Sequence, residues 1–330
     1  MLRLGLIGPG DIGAYLGKLS SEIDGVQVVA VAGRNPNKTQ EYAKSLGAIP
    51  FFDYQAMLAE ANLDAIIVAT PSDTHHRIVL EAIEHGIHVF CEKPMALSVA
   101  DCDEMISAAD HKGIKLMVGH VLREMPVFKK TREILASKEL GRPLLVDIIR
   151  AEKMELWGWY IDKDRFRSAF HEMSVHEFDF LRKLLGDLQE VSVKAVRRDG
   201  HDLNYDTPVQ VHLEFTNSTQ ATLTQYGNSP LTIGIGFIFC ENGTLLYNWR
   251  DGNRIEYQIQ GGDKISLEIQ ETEANNAYRR ELTSFVNWIQ ADIPPLMTAQ
   301  DGRAAVEIAE AAYLSRQSGQ PVKLPLVNTI

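Results

Sequence analysis

The strongest constraint on this chain lies in residues 8 to 13, Gly8-Pro9-Gly10-Asp11-Ile12-Gly13, which begin where the apolar run Leu2 to Ile7 stops. That run reads as a buried parallel strand, and helical apolar spacing resumes after it to about Ser21. In a strand–glycine–helix order each glycine has its own task. The first makes the tight turn, the second lets the backbone approach a pyrophosphate, and the third lets helix pack on strand. The free N–H groups of the helix start then face the phosphates. Glycine triplets are common in flexible turns; the position at the first turn of a β-α-β pattern makes this one a candidate dinucleotide cradle.

The pattern continues as a doubly wound sheet. The strand Val26 to Ala32 ends on Gly33-Arg34-Asn35, where a fold preferring NAD usually carries an acid for the ribose 2′-hydroxyl. Arg34, with Lys38 one turn on, replaces that carboxylate by two cations suited to a 2′-phosphate. NADP is therefore expected, with NAD possible; if Arg34 stacks on adenine or faces water, both bind. Helices over 37–46 and 54–60 and strands over 49–52 and 65–69 follow. The last strand ends in Ala69-Thr70-Pro71-Ser72, with His75 and His76 opening the next helix on different faces, which suits packing or cofactor contact better than a metal. A buried strand then delivers Cys91-Glu92-Lys93-Pro94 to a carboxyl end, where open α/β sheets build ligand crevices. Pro94 restricts the Lys93 backbone. Taken alone, Glu-Lys-Pro also describes a surface turn. A helix over 98–111 and a strand over 115–119 complete six parallel strands.

A chain of 330 residues exceeds what one hydrophobic core usually fills. The reading is a Rossmann domain over 1–121 and an α+β domain over 122–330. The second domain is expected to hold a large, mainly antiparallel open-faced sheet, because six turn signals punctuate alternating apolar residues between 190 and 269. Ile233, Ile235, Phe237 and Phe239 would give that sheet an apolar outer face on which subunits pair, hence a homo-oligomer. A net charge of −11 opposes broad contact with nucleic acid or anionic membrane. Three scattered cysteines indicate neither a disulfide framework nor a zinc site, and no apolar run suits a signal peptide or a membrane span, so a cytoplasmic protein with a small-molecule partner is expected.

Two stretches of the second domain carry candidate chemistry. The segment from Glu152 to Phe170 holds Trp157, Trp159, Tyr160 and Arg165 among other charged residues, which suits a polyol pocket. The same aromatics could instead plug the loop onto the core or a neighbouring subunit. A helix over 171–185 then spaces Glu172 and His176 four apart, so that a carboxylate can orient an imidazole as a general base needs. Asp179 reads as structural.

Gly8-x-Gly10-x-x-Gly13, Ala69-Thr70-Pro71-Ser72 with His75, Cys91-Glu92-Lys93-Pro94 and Val175-His176-Glu177-Phe178-Asp179 together resemble the glucose–fructose oxidoreductase / inositol dehydrogenase / rhizopine catabolism (Gfo/Idh/MocA) family of NAD(P)-dependent dehydrogenases. Asp301-Gly302-Arg303 and Gly319-Gln320-Pro321-Val322 extend the likeness along nearly the whole chain. The resemblance implies that Lys93 contacts the substrate hydroxyl and the nicotinamide ribose, that Lys93–Pro94 packs beside the nicotinamide, and that His176 is the acid/base. The chain departs from the family pattern at Glu172, where aspartate is common, at Arg167-Ser168, and at Gly119-His120-Val121 before Arg123. His120 and Arg123 thus join the candidate substrate contacts. The expected activity is hydride transfer between nicotinamide and a secondary alcohol of a sugar, cyclitol or related polyol. The alternatives are a nucleotide-dependent glycosidase using transient oxidation and a non-catalytic NAD(P)-binding regulator.

Overall fold

The structure, a computed structural model, describes residues 1–153, 159, 162, 165–196, 208–270, 272 and 276–327. The chain divides into two compact units, residues 1–124 with 275–306 and residues 125–274 with 307–330. Sequence punctuation suggests one division near residue 121; the chain instead returns to the first unit after residue 274, because a late helix covers the first unit's sheet.

The first unit alternates strand and helix as its apolar spacing dictates: β1 (Leu2–Ile7), α1 (Asp11–Ser21), β2 (Val26–Ala32), α2 (Pro36–Leu46), β3 (Ile49–Phe51), α3 (Tyr54–Glu60) and β4 (Ala65–Val68). After them come α4 (His75–Glu84), β5 (His88–Glu92), α5 (Val99–Lys112) and β6 (Leu116–Gly119). The helices start and stop on local chemistry. Asn35 accepts from the Lys38 N–H, Pro36 opens α2, and Gly47 ends it at φ +66°, a conformation glycine adopts without a Cβ penalty. The strands form one parallel sheet in the order β3-β2-β1-β4-β5-β6, and β1 and β4 to β6 are so buried that they read as continuous apolar runs.

Two further helices serve this unit. On α8 (Ala277–Ala291), Phe285 meets Phe90 of β5 edge to face at 5.8 Å. Such a pair adds roughly 0.5–1.5 kcal/mol beyond its burial. The start of α9 (Ala299–Ser318) explains the Asp-Gly-Arg motif. Asp301 exchanges hydrogen bonds with Thr298 across the helix start, Gly302 leaves room where a Cβ would come within 2.7 Å of Val118, and Arg303 pairs with Asp103 of α5 at 2.9 Å.

In the second unit α6 (Pro126–Ala136), β7 (Pro143–Lys153), α7 (Val175–Leu185), β8 (Leu188–Ala195), β9 (Val209–Phe215), β10 (Gln220–Tyr226), β11 (Asn228–Cys240), β12 (Gly243–Asn248), β13 (Arg254–Ile259), β14 (Ile265–Glu268) and β15 (Val322–Lys323) follow. Among the described residues its sheet runs β14-β13-β12-β11-β7-β10-β9-β8-β15. It is not a simple meander, because β7 lies between β11 and β10 and runs parallel to β10. On β11 the residues Gly234, Gly236 and Ile238 are buried, while Ile235, Phe237 and Phe239 face outward and meet Ile149, Asp147 and Leu145 of β7 in register. No helix among the described residues is long and apolar enough to cross a membrane.

Candidate active site

In the first unit the turn after β1 has the form a dinucleotide requires. Gly8 has φ +93°, and a Cβ on it would lie 2.6 Å from the Ala69 oxygen; a Cβ on Gly13 would lie 2.0 Å from the Gly8 oxygen. Gly10, in contrast, has nothing within 4 Å of an added Cβ, and as N-cap of α1 it brings no side-chain hydrogen bond to the helix start. The start of α1 therefore has open space beside Gly10 and no side chain capping it. This cradle fits a bound pyrophosphate, with Pro9, Asp11 and Ile12 around it. Gly33 is compelled by Thr39, whose Oγ1 would come within 2.5 Å of a Cβ, and the exposed Arg34 and Lys38 follow directly.

The loops after β4 and β5 are tied together by His75. Its ring is buried, with Nδ1 2.9 Å from the Pro94 oxygen and Nε2 2.8 Å from the Thr70 oxygen. Both ring nitrogens thus lie against the protein's own carbonyls, one of which accepts the single N–H of the neutral ring, so His75 shapes the Thr70 and Pro94 walls rather than offering a polar atom to a ligand. Burial holds its proton affinity below the usual histidine range despite both carbonyls. His76 points elsewhere, to Glu104 on α5 at 2.8 Å. Ser72 is buried, while Thr70 and Pro71 are partly exposed beside it.

From Val89 to Ala96 every residue is buried except Lys93, so the strand end presents one ammonium to the outside. Behind it Glu92 accepts the Lys93 backbone N–H on Oε2 at 3.1 Å. Burial outweighs the neighbouring Lys93 charge and pushes the Glu92 carboxyl up to about 7. Arg123 has another task than substrate contact: it is fully enclosed, and its guanidinium donates to the Leu296 oxygen at 2.6 Å and to Asp301 at 2.9 Å. The departure from the family pattern at Gly119-His120-Val121 places Arg123 among the candidate substrate contacts, but its partners come from residues more than 170 positions away. His120 is likewise buried, at the end of β6.

In the second unit the expected helix over 171–185 opens with a π-helical turn, Phe170–Ser174, before the regular α7. Such turns are rare and are frequently found at functional sites. The wider turn alters the simple four-residue spacing by which Glu172 and His176 share a face. From His171 to Phe180 every residue is buried except His176, which alone is partly exposed. The helix is anchored on both sides of it. Arg150 of β7 binds Glu177 at 3.0 Å and the Met173 oxygen at 3.1 Å. His171 receives Ser168 at 2.8 Å on Nδ1 and lies 3.4 Å from Glu310 on Nε2, while Arg167 holds the same Glu310 at 2.6 Å. Burial alone would raise Glu310; His171 and Arg167 overcome it and draw the carboxyl down to about 2. Trp159 and Arg165 are partly exposed, with the Trp159 ring 6.4 Å from Phe166. Trp157 and Tyr160 lie outside the described residues.

Sequence reading missed Glu177, Glu310 and Glu281. The clearest overlooked signal is Glu281, an acid in the buried stripe Ala277-Glu281-Phe285 of α8. Among the described residues no group of three or more His, Cys, Asp or Glu is arranged to hold a metal ion.

Comparison with known proteins covers both units. Residues 2–120 match the profile of an oxidoreductase family with an NAD-binding Rossmann fold, and residues 128–246 match a GFO/IDH/MocA C-terminal domain. The chain is 26% identical to a myo-inositol 2-dehydrogenase of Thermotoga maritima, covering 98% of each chain. It is 27% identical to a 2,7-anhydro-N-acetylneuraminate hydratase of Mediterraneibacter gnavus, covering 97% of this chain and 96% of that protein. A crystal structure described as a putative myo-inositol dehydrogenase from Sinorhizobium meliloti superposes with a TM-score of 0.84 at 26% identity, over 98% of this chain and all of that one.

Proposed function

The chain belongs to the Gfo/Idh/MocA family of NAD(P)-binding oxidoreductases, and from that premise we propose that its substrate is a cyclitol or sugar whose secondary alcohol is oxidised, or whose ketone is reduced, with NADP preferred. The observation that carries this reading is the isolation of Lys93 and His176, each the one accessible residue of an otherwise buried stretch. Acid/base chemistry needs an accessible group on an immobile frame.

In the oxidative direction the carbinol carbon gives up a hydride and its oxygen a proton, leaving a ketone. Bound NAD(P) supplies the hydride acceptor. His176 takes the proton, and Glu172, in the π-turn before it, orients the imidazole. Lys93 offers its ammonium to the negative charge that grows on the oxygen. Gly8 to Gly13, Gly33, Arg34 and Lys38 hold the dinucleotide, with Ala69 to Ser72 and Glu92 to Pro94 as walls. Trp159 and Arg165 bound the polyol.

Several finer points belong to the same reading. Arg34 and Lys38 stand where an acid would repel a 2′-phosphate, which favours NADP over NAD. The outward apolar residues of β11 and β7 make a face suited to a second copy. The three cysteines are free thiols, as in a reducing cytoplasm. The hydratase relative supports a second reading in which oxidation is transient. Titration of NADPH and NADH by quenching of tryptophan fluorescence, followed by turnover of myo-inositol and hexoses, tests the proposal. Tighter NADPH binding that inverts in Arg34→Asp, with net cofactor reduction, is the expected result. Absence of binding by either nucleotide overturns the dehydrogenase reading; product formed without net cofactor change favours the second one.

A further inference from the structure

Behind the Lys93 turn two carboxyl groups are buried, and the charge of opposite sign that bears on the pair is that of Lys93 beside Glu92. Glu281 is fully enclosed, and among the described residues neither of its oxygens has a hydrogen-bond donor; Oε1 of Glu92 is enclosed too and equally without one. Their elements oppose each other. Phe90 and Glu92 lie two apart on one face of β5, Glu281 and Phe285 four apart on one face of α8, and Phe90 touches Phe285. The charges bearing on Glu281 are Glu92 first and Glu124 second. Glu124 is itself held by Arg280, the residue before Glu281 on α8, at 3.0 Å, so that guanidinium is engaged elsewhere.

Two buried acids in one low-dielectric site cannot both ionise. Burial, reinforced by Glu92 and Glu124, drives the Glu281 carboxyl far above the usual range, whereas Glu92 beside Lys93 rises less. The proton therefore rests on Glu281. A protonated acid has one O–H to donate, and the open oxygen of Glu92 is an acceptor lacking a donor.

We propose that Glu281 is a positioning residue for Lys93: its carboxylic acid donates to Oε1 of Glu92 and holds the side chain whose Oε2 accepts the Lys93 N–H. The groups that set this pair are Glu92 and Lys93 from the end of β5, Glu124 after β6, and Arg280 on α8. A charge-assisted O–H···O⁻ bond is shorter and stronger than a neutral one, so the pair fixes the lysine turn while leaving a single negative charge opposite the ammonium. The assignment rests on the role proposed above for Lys93.

The test uses the whole enzyme and two variants, Glu281→Gln, which keeps a donor and cannot ionise, and Glu281→Leu, which fills the space without one. Infrared difference spectra at pH 8 should show a protonated carboxylic acid carbonyl in the wild type that disappears in Glu281→Gln. In Glu281→Leu the carboxylate bands of Glu92 should titrate about one unit higher in pH, because Glu92 loses its donor, and Glu281→Gln should restore them. An unchanged infrared band in Glu281→Gln, or an unshifted Glu92 titration in Glu281→Leu, overturns the proposal. The infrared result is independent of turnover, so it stands even if no polyol proves to be a substrate.

Discussion

The two places that present chemistry bury their acids in opposite ways. Under the His176 helix, Glu177 meets Arg150, and Glu310 meets Arg167 and His171. Behind the Lys93 turn, Glu92 and Glu281 face no cation among the described residues other than the neighbouring Lys93. The first arrangement fixes a helix: each buried charge has a partner, and the pairs clamp the residues before and after His176. The second holds charge in reserve beside the lysine proposed to meet an alkoxide, where a fully neutralised carboxylate would do less. Paired acids hold geometry, and unpaired acids tune a neighbour.

The largest effect should come from breaking a paired acid. Arg150→Met leaves Glu177 buried and unpaired, and should cost about 3–5 kcal/mol in urea unfolding. A loss below about 1 kcal/mol would erase the contrast drawn above. Next, Lys93→Ala and His176→Ala should each lower turnover by about 100-fold or more with little change in melting temperature, since both side chains are partly exposed. Near-wild-type turnover in either, on a proven substrate, removes that residue from the chemistry.

The pH dependence of stability should then separate the two places. Glu92 has its folded-state value raised from 4.5 to about 7, so between those values the folded state keeps a proton that the unfolded state has released, and stability falls as pH rises. Glu310 is lowered to about 2, so its stabilisation is present above 4.5 and is lost as pH falls toward 2. Urea midpoints of Glu92→Gln and Glu310→Gln from pH 3 to 8 should differ in sign, with changes on the order of 1–3 kcal/mol. Parallel curves would refute the distinction. The smallest effect is expected for Glu281→Leu at pH 8, whose stability should stay within about 1 kcal/mol of wild type or rise, because an apolar side chain replaces a buried acid. A calorimetric loss comparable to that of Arg150→Met would show Glu281 to be a structural anchor.

Much of this was legible in the chain. The six parallel strands and the glycine cradle follow from short-range periodicity and turn chemistry, which neighbouring residues set among themselves. The position of β7 between β10 and β11 was not legible, because strand pairing over some 70 residues leaves no local mark. Arg123 and His75 show the same limit: each sits where a ligand contact is plausible, and each is committed to partners that only folding supplies.

The sequence by itself named the residues proposed to carry the chemistry, since Lys93 before a proline at a strand end and a histidine within a turn of an acid are local features, although the π-helical turn changes the face that the spacing of Glu172 and His176 predicts. Tertiary structure decided what surrounds them. Whether a buried carboxylate finds a guanidinium, as Glu177 does, or only a second acid, as Glu92 does, depends on which distant helix or strand packs against it. Proton affinity is set by that enclosure, because desolvation and neighbouring charge act through space and not along the chain.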